Sequence, residues 1–333
     1  MSRRTLTLTA AIAAATLALS ACGNGGGDAP GGNGTADDAA AGGETYEIGI
    51  TQIVSHPSLD AAREGFKEAL AEEGIEANYD EQNAQGDQAT ATNIANNFVN
   101  KDLVLSIATP TTQAAAQVIT GTPVVFTAVT DPVAAGIVES IEAPGANVTG
   151  TSDLNPVKEQ LELVKEIAPE AQTVGIVYSS GESNSEVQVQ MAQDAAAELG
   201  LTIQTQTVSN SGEVAQAAQS LNVDAFYVPT DNVVVSAIES MVAAAEAQQI
   251  PMIVAEGDSV ERGGVATVGI DYGELGRQTG KMAAQILRDG ADPATMPVEY
   301  QDDPRLIVNP GAAEQAGIEL PQELIDRADE VVQ

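Results

Sequence analysis

Between Glu47 and Leu287 the chain alternates short runs rich in Val and Ile with longer amphipathic stretches, and the whole pattern is written twice. Short runs that are apolar on both faces and separated by helices indicate parallel strands covered on two sides. Parallel neighbours need a crossover of about a dozen residues or more, which a helix supplies. The first round reads as strands over Glu47–Ile53, Ala77–Gln82, Leu103–Ala108 and Pro123–Val129. Helices cover Ser58–Glu73 and Gln88–Asn100, and a third opens at Thr109-Pro110. In the first helix Leu59, Ala62, Phe66, Ala69 and Leu70 share one face, and Gly74 suits the cap that ends it.

Val148–Ser152 reads as a crossing segment, after which the same grammar restarts. Helices are expected from Asn155-Pro156 to Ala168 and over Asn184–Leu199, Ser211–Leu221, Asn232–Ala247 and Tyr272–Leu287. Strands are expected over Thr173–Tyr178, Leu201–Val208, Asp224–Val228, Pro251–Ala255 and Val265–Ile270. The last helix begins with Asp271 and Glu274 at capping-box spacing. The expected fold class is α/β: two doubly wound lobes hinged around a central cleft. Right-handed crossovers put the strand-to-helix loops of both lobes at the carboxyl edges of the sheets, where open α/β sheets bind ligands.

The first 22 residues carry a different signal. Arg3 and Arg4 precede an apolar stretch from Leu6 to Leu19, and Leu19-Ser20-Ala21-Cys22 closes it with small residues. That is an export signal, too short for a comfortable membrane span. Its last four residues resemble a bacterial lipobox, which implies that Cys22 becomes the first mature residue and carries lipid on its sulfur. Residues 23–45, almost wholly Gly, Ala, Asn and Asp, read as a flexible tether.

Composition removes several functions. Forty-eight acidic residues against 13 basic ones give a net charge of −35, which would repel nucleic-acid phosphates. One His and one Cys cannot build a zinc cluster, a Cys–His dyad or an intramolecular disulfide. With no Trp and 3% aromatics, a base-stacking platform is also excluded. No G-x-S-x-G, Walker or G-x-G-x-x-G pattern is present. Gly276-Arg277-Gln278-Thr279-Gly280-Lys281 comes nearest to a phosphate loop, but it falls inside a helix pattern and has no Ser or Thr after the lysine. No catalytic residue, cofactor or metal is expected.

What remains is a set of polar residues just past the strand ends. In the first lobe the candidate ligand-binding residues are Gln52, His56, Asn83, Thr109, Thr111, Thr127, Thr130 and Asp131. In the second they are Tyr178, Ser185, Asp231, Asn232, Asp258 and Asp271. Hydroxyls and the free N–H groups of helix N-termini suit a carboxylate, and Thr109-Pro110-Thr111 is the best such place. Carboxylates on the opposite wall suit a cation, so the two together fit a zwitterion. Thr109, Asp231 and Asp271 also serve as plain helix caps, which leaves both roles open for each.

Several runs resemble the ABC transporter substrate-binding lipoproteins, in particular members that bind tryptophan or phenylalanine. They are Gln82-Asn83-Ala84-Gln85-Gly86-Asp87, Phe126-Thr127-Ala128-Val129-Thr130-Asp131-Pro132, Asn147-Val148-Thr149-Gly150, and Asp224 through Asn232. Gly257-Asp258-Ser259-Val260 and Gly269-Ile270-Asp271-Tyr272, continuing through Leu275 to Gly280, complete the set. The resemblance implies a periplasmic-binding-protein type I-like fold of two Rossmann-like lobes. It implies a lipid-anchored receptor on the extracytoplasmic face of the cell membrane that hands a small ligand to ABC permease subunits. The expected lobes are residues 46–151 with about 273–299, and residues 152–272 with about 300–333. The expected protein is a monomer that takes a small zwitterion, an amino acid, with aromatic ones among the candidates. A sugar-binding or sensory two-lobe receptor, or an exported enzyme on the same scaffold, are the alternatives. Ser179-Ser180 stands where the family has Asn-Pro, which alters the cleft locally.

Overall fold

The structure is a computed structural model that describes residues 45–332; the signal, Cys22 and nearly all of the proposed tether lie outside the described residues. Strand β1 (Thr45–Gln52) is followed by α1 (Pro57–Glu72), β2 (Glu76–Asn83), α2 (Gln88–Asn97), β3 (Leu103–Ile107), α3 (Thr109–Val118), β4 (Val124–Thr127) and β5 (Val148–Gly150). These five strands form one parallel sheet in the order β2-β1-β3-β4-β5. Val148–Gly150 is thus the edge strand of this sheet, and the crossing comes just after it. There Thr151 bridges Glu299 and Ser152 donates its N–H to the Glu299 carbonyl.

The second half runs α4 (Val157–Ile167), β6 (Thr173–Ser179), α5 (Ser183–Leu199), β7 (Thr202–Val208), α6 (Val214–Ser220), β8 (Ala225–Val228), α7 (Asn232–Val235) and α8 (Ile238–Gln248). It continues with β9 (Met252–Val254), α9 (Gly257–Glu261) and β10 (Ala266–Gly269). After α10 (Tyr272–Asp289) come β11 (Arg305–Val308), α11 (Pro310–Gln315), α12 (Gln322–Asp326) and β12 (Glu330–Val331). The seven strands order β12-β11-β10-β9-β8-β6-β7, with β11 antiparallel to β10. The C-terminal strands escaped the sequence pattern because each is only two to four residues long.

The apolar interior follows the same division. One cluster joins Ile48 through Val148 to Ile270, Tyr272, Leu275, Ala283, Ile286 and Val298. Two more, on either side of the second sheet, draw on Val157 to Val268 and return through Leu306 to Leu324. Helix α10 therefore follows the second sheet in sequence yet packs against α1 of the first. The contact is backbone-close. A Cβ on Gly276 would stand 1.9 Å from the Ala62 carbonyl oxygen, and one on Gly65 would stand 2.1 Å from that of Gly273. The glycines of the phosphate-loop near miss serve this helix–helix approach.

Candidate functional site

In both lobes a parallel strand ends and a helix starts within a few residues, so side chains at these junctions are held by rigid elements on two sides. The junctions of the first lobe are also strained. Gln85, Ala108 and Ala128 follow β2, β3 and β4, and all have positive φ (54°, 79° and 58°). Such conformations persist only where surrounding packing enforces them, and they concentrate at binding sites. At Ala108 the strained residue occupies the capping position of α3, so Thr109 is the first helical residue rather than the cap.

Between the lobes His56, Leu59, Ala128 and Thr130 face Asn184, Thr230, Asn232, Val235 and Glu256, with Asp153 and Tyr272 at the hinge side. They enclose about 10 Å³, roughly the room of one water. Thr130 donates to Asp153 Oδ1 at 2.8 Å, and the Tyr272 hydroxyl donates to Asp153 Oδ2 at 2.7 Å. Thr130 and Thr230, from opposite lobes, approach to 3.4 Å.

Four buried carboxylates stand in or behind this wall, and their bonding differs. Asp231 accepts from the Ser179 N–H, the Ser185 hydroxyl and the Val234 N–H, which also caps α7. Glu182 accepts from both the side chain and the backbone of Asn232, and from Asn184 and Val233. Asp153 is filled by Thr130 and Tyr272. Glu256, 2% exposed, accepts from Ser259 on one oxygen, while its Oε2 is buried without a partner. Burial raises all four carboxyls; the charge of Asp231 adds to the rise at Glu182, and Glu256 is pushed up to about 8. Burial also pulls the His56 imidazole down to about 4, so it is neutral at pH 7.

The buried polar atoms that lack partners divide by lobe. On the first lobe they include His56 Nδ1, Ser58 Oγ and Thr109 Oγ1, all at the starts of α1 and α3. On the second they include Asn184 Oδ1 and Glu256 Oε2, both acceptors on the cavity wall. Thr51 Oγ1, Asn155 Oδ1 and Thr267 Oγ1 are also buried without partners, and the first turns of α1 and α3 leave backbone N–H groups without intrahelical partners beside Ser58 and Thr109.

The structure brings His56, Thr130 and Asn232 together at the cavity, with Ser185 and Asp231 directly behind them. Thr109 is buried at the start of α3. Thr111 turns its hydroxyl back onto the Ile107 and Ala108 carbonyls, and Thr127 accepts from Thr151 near the hinge. Gln52 and Asn83 lie together on a shallow groove with Arg63, apart from the cavity; Gln52 is tied to Val54 and Asp60, and Asn83 to Gln85. Asp131 caps the turn at Val133 and Ala134. Tyr178 packs against the core, and Asp258 and Asp271 line a separate hinge-side cavity. The sequence reading left out Ser58, Asp153, Glu182, Asn184 and Tyr272 as binding groups and did not single out Glu256 among the strand-end residues. Four of these, Ser58, Asp153, Glu182 and Asn184, were findable as polar residues at or bordering predicted helix starts.

Comparison with known proteins agrees with this architecture. A family model described as ABC transporter substrate binding protein matches residues 47–332. A "Tyrosine-binding protein" of Clostridioides difficile (strain R20291) is 42% identical over 270 residues, 79% of this chain and 78% of the relative. The structure of an "ABC domain in complex with L-Trp" from Streptococcus pneumonia is 38% identical, with a TM-score of 0.83 over 87% of this chain and all of that one. A "ligand-free, open structure" of a substrate binding protein from Clostridium difficile is 42% identical but reaches only 0.66, over 86% of this chain and 99% of that one.

Proposed function

The chain belongs to the ABC transporter substrate-binding protein family, and we propose that it captures an α-amino acid between its lobes for delivery to an ABC permease. The observation that carries this reading is a set of unpaired buried polar atoms: His56 Nδ1, Asn184 Oδ1 and Glu256 Oε2 belong to residues lining the central cavity, and Ser58 Oγ and Thr109 Oγ1 are buried at the helix starts of the first lobe. The ligand carboxylate would meet Ser58, Thr109 and the N–H groups opening α1 and α3, where the helix dipole favours an anion. The ammonium group would meet Glu256, because the other three carboxylates already have their oxygens occupied. Burying both ligand charges is tolerable only when each is paired, which selects zwitterions.

A cavity with room for about one water admits no amino acid unless the lobes part. Closure would turn at three strands of backbone, near Thr151-Ser152, Ile270-Asp271 and Glu299–Gln301, where Gln301 bonds both the N–H and the carbonyl of Asp271. This reading divides the chain into lobes of residues 46–151 with about 273–299, and 152–272 with about 300–333. Only the closed form offers both walls to the ligand, so binding favours it. Relatives named for tyrosine and solved with L-Trp support an aromatic amino acid. Membership of the family implies an extracytoplasmic position, and no helix among the described residues is long and apolar enough to cross a membrane. Lipid on Cys22 would supply the anchor, and a single copy would suffice for the site.

Thermal unfolding against a panel of the twenty amino acids tests the proposal. A cognate ligand at a hundredfold excess over its Kd adds about 2.7 kcal/mol, and a flat response across the panel would rule it out.

A further inference from the structure

The central cavity is continuous in its lining with a larger one. Asn232 belongs to both, and Glu182, which accepts from Asn232, lies on the wall between them. The larger cavity, about 300 Å³, opens toward the mouth of the cleft on the side of β2 and β7 and reaches the lower end of the size range of small-molecule pockets. We propose that it is the side-chain compartment of the amino-acid site, and that it selects a large, uncharged side chain with an apolar body and room for a polar tip. This inference rests on the amino-acid reading and specifies where the ligand extends.

Two physical arguments support it. The first is space: the inner cavity is lined mainly by charged and hydrogen-bonding groups and has room for only about one water, so even with the lobes parted enough to seat a headgroup it leaves no place for a side chain. Any longer ligand must continue into an adjoining compartment. The second is chemistry. The outer cavity is walled by Ile53, Val54, Pro110 and Val233, and its rim is polar at Gln88, Asn210 and Ser211. Gln88 is already bonded to the Pro110 carbonyl, so it stiffens the wall.

The other cavity adjoining the centre shares Tyr272, measures about 180 Å³ and is lined by Asp258, Glu261, Asp271 and Glu330 around Arg305. An apolar side chain there would strip water from carboxylates without pairing them, which is costly. In the outer cavity the one charged group is Glu182, whose oxygens are occupied by Asn184, Asn232 and Val233. No free charge is left to pair with an acidic or basic side chain, so charged amino acids are disfavoured.

The chain contains no Trp, so L-tryptophan can be excited at wavelengths where the protein is dark. Its emission is followed on titration into the wild-type protein, and other amino acids are measured by competition. Val233→Phe fills the compartment from its half-buried wall; Ser211→Phe fills it from the exposed rim, where folding is not at risk. Each variant is expected to weaken L-tryptophan and L-tyrosine by at least about tenfold. The smallest amino acid that the wild type binds should change by less than about twofold. An unchanged ratio of large to small ligands in both variants overturns the compartment. A wild type that binds small amino acids but neither aromatic one also overturns it, leaving the amino-acid reading intact. A wild type that binds no amino acid removes both.

Discussion

The two walls of the cleft are built from the same local device, a helix that starts just past a parallel strand, yet they present opposite chemistry. In the first lobe the starts of α1 and α3 offer hydroxyls, free N–H groups and a neutral imidazole, and no carboxylate lies buried there. In the second lobe Glu182, Asp231 and Glu256 sit at the equivalent junctions, fully or almost fully buried. Backbone dipoles supply the anion side without introducing a formal charge, and each contributes roughly 0.3–2 kcal/mol. The cation side has no such backbone source at a helix start, so side-chain carboxylates must supply it, and each burial is costly. The comparison teaches that a zwitterion site is energetically lopsided, with the larger stake on the acidic wall.

Four experiments test this asymmetry between the walls. The largest effect is expected from Glu256→Gln, which removes the one carboxylate among the described residues with an unoccupied buried oxygen. Losing a buried charge pair costs about 2–5 kcal/mol, so affinity measured by calorimetry should fall about a hundredfold or more. Unchanged affinity would move the ammonium group elsewhere.

The second effect is pH dependence. The Glu256 carboxyl is raised to about 8 in the folded protein, against 4.5 as its ordinary value. The native state therefore holds more protons than the unfolded state between those limits. That stabilisation is complete below about 4.5 and is lost as pH rises through about 8, at up to about 1.4 kcal/mol per pH unit. Unfolding of the ligand-free protein should show this decline, and Glu256→Gln should flatten it. Affinity should move the opposite way, rising up to about tenfold per unit from pH 6 to 8, because the ligand's ammonium group no longer has to displace a proton.

On the neutral wall, Ser58→Ala and Thr109→Ala each remove one hydrogen bond, worth about 1 kcal/mol, and should lower affinity roughly fivefold. Decarboxylated analogues of the ligand, titrated into the same variants, should show no loss; a loss would place the carboxylate elsewhere. The smallest effects belong to Asn83→Ala and Asp131→Asn. Asn83 caps the Gln85 turn and Asp131 the Val133 turn, both outside the cavity, so affinity should change by less than about twofold. A tenfold change at either would extend the site beyond the walls described.

Much of the fold was legible because its signals are local. Val and Ile runs, the Asp231 and Asp271 caps and the amphipathic period of α10 each depend on residues within a few positions. The site was less legible. Strand-end position names both His56, Thr130, Asp231 and Asn232, which lie at or directly behind the central cavity, and Asn83, Asp131 and Asp258, which lie outside it, because position along a sheet edge does not say which loops point inward. Asp153 and Glu182 each stand two residues before a predicted helix start, where a carboxylate reads equally well as a cap. The Tyr272 hydroxyl bonds Asp153 at the hinge across a separation of 119 residues, which no local pattern reveals.

The α/β class and the doubling of the pattern were carried by the amino-acid sequence, since periodicity is a property of neighbours along the chain. Tertiary structure decided which carboxylate has a free oxygen, which hydroxyls turn back onto their own helix, and that α10 closes onto α1 through facing glycines. Those outcomes depend on contacts between residues as far apart as Ala62 and Gly276, and hydrogen-bond occupancy is settled only when every competing donor has been placed.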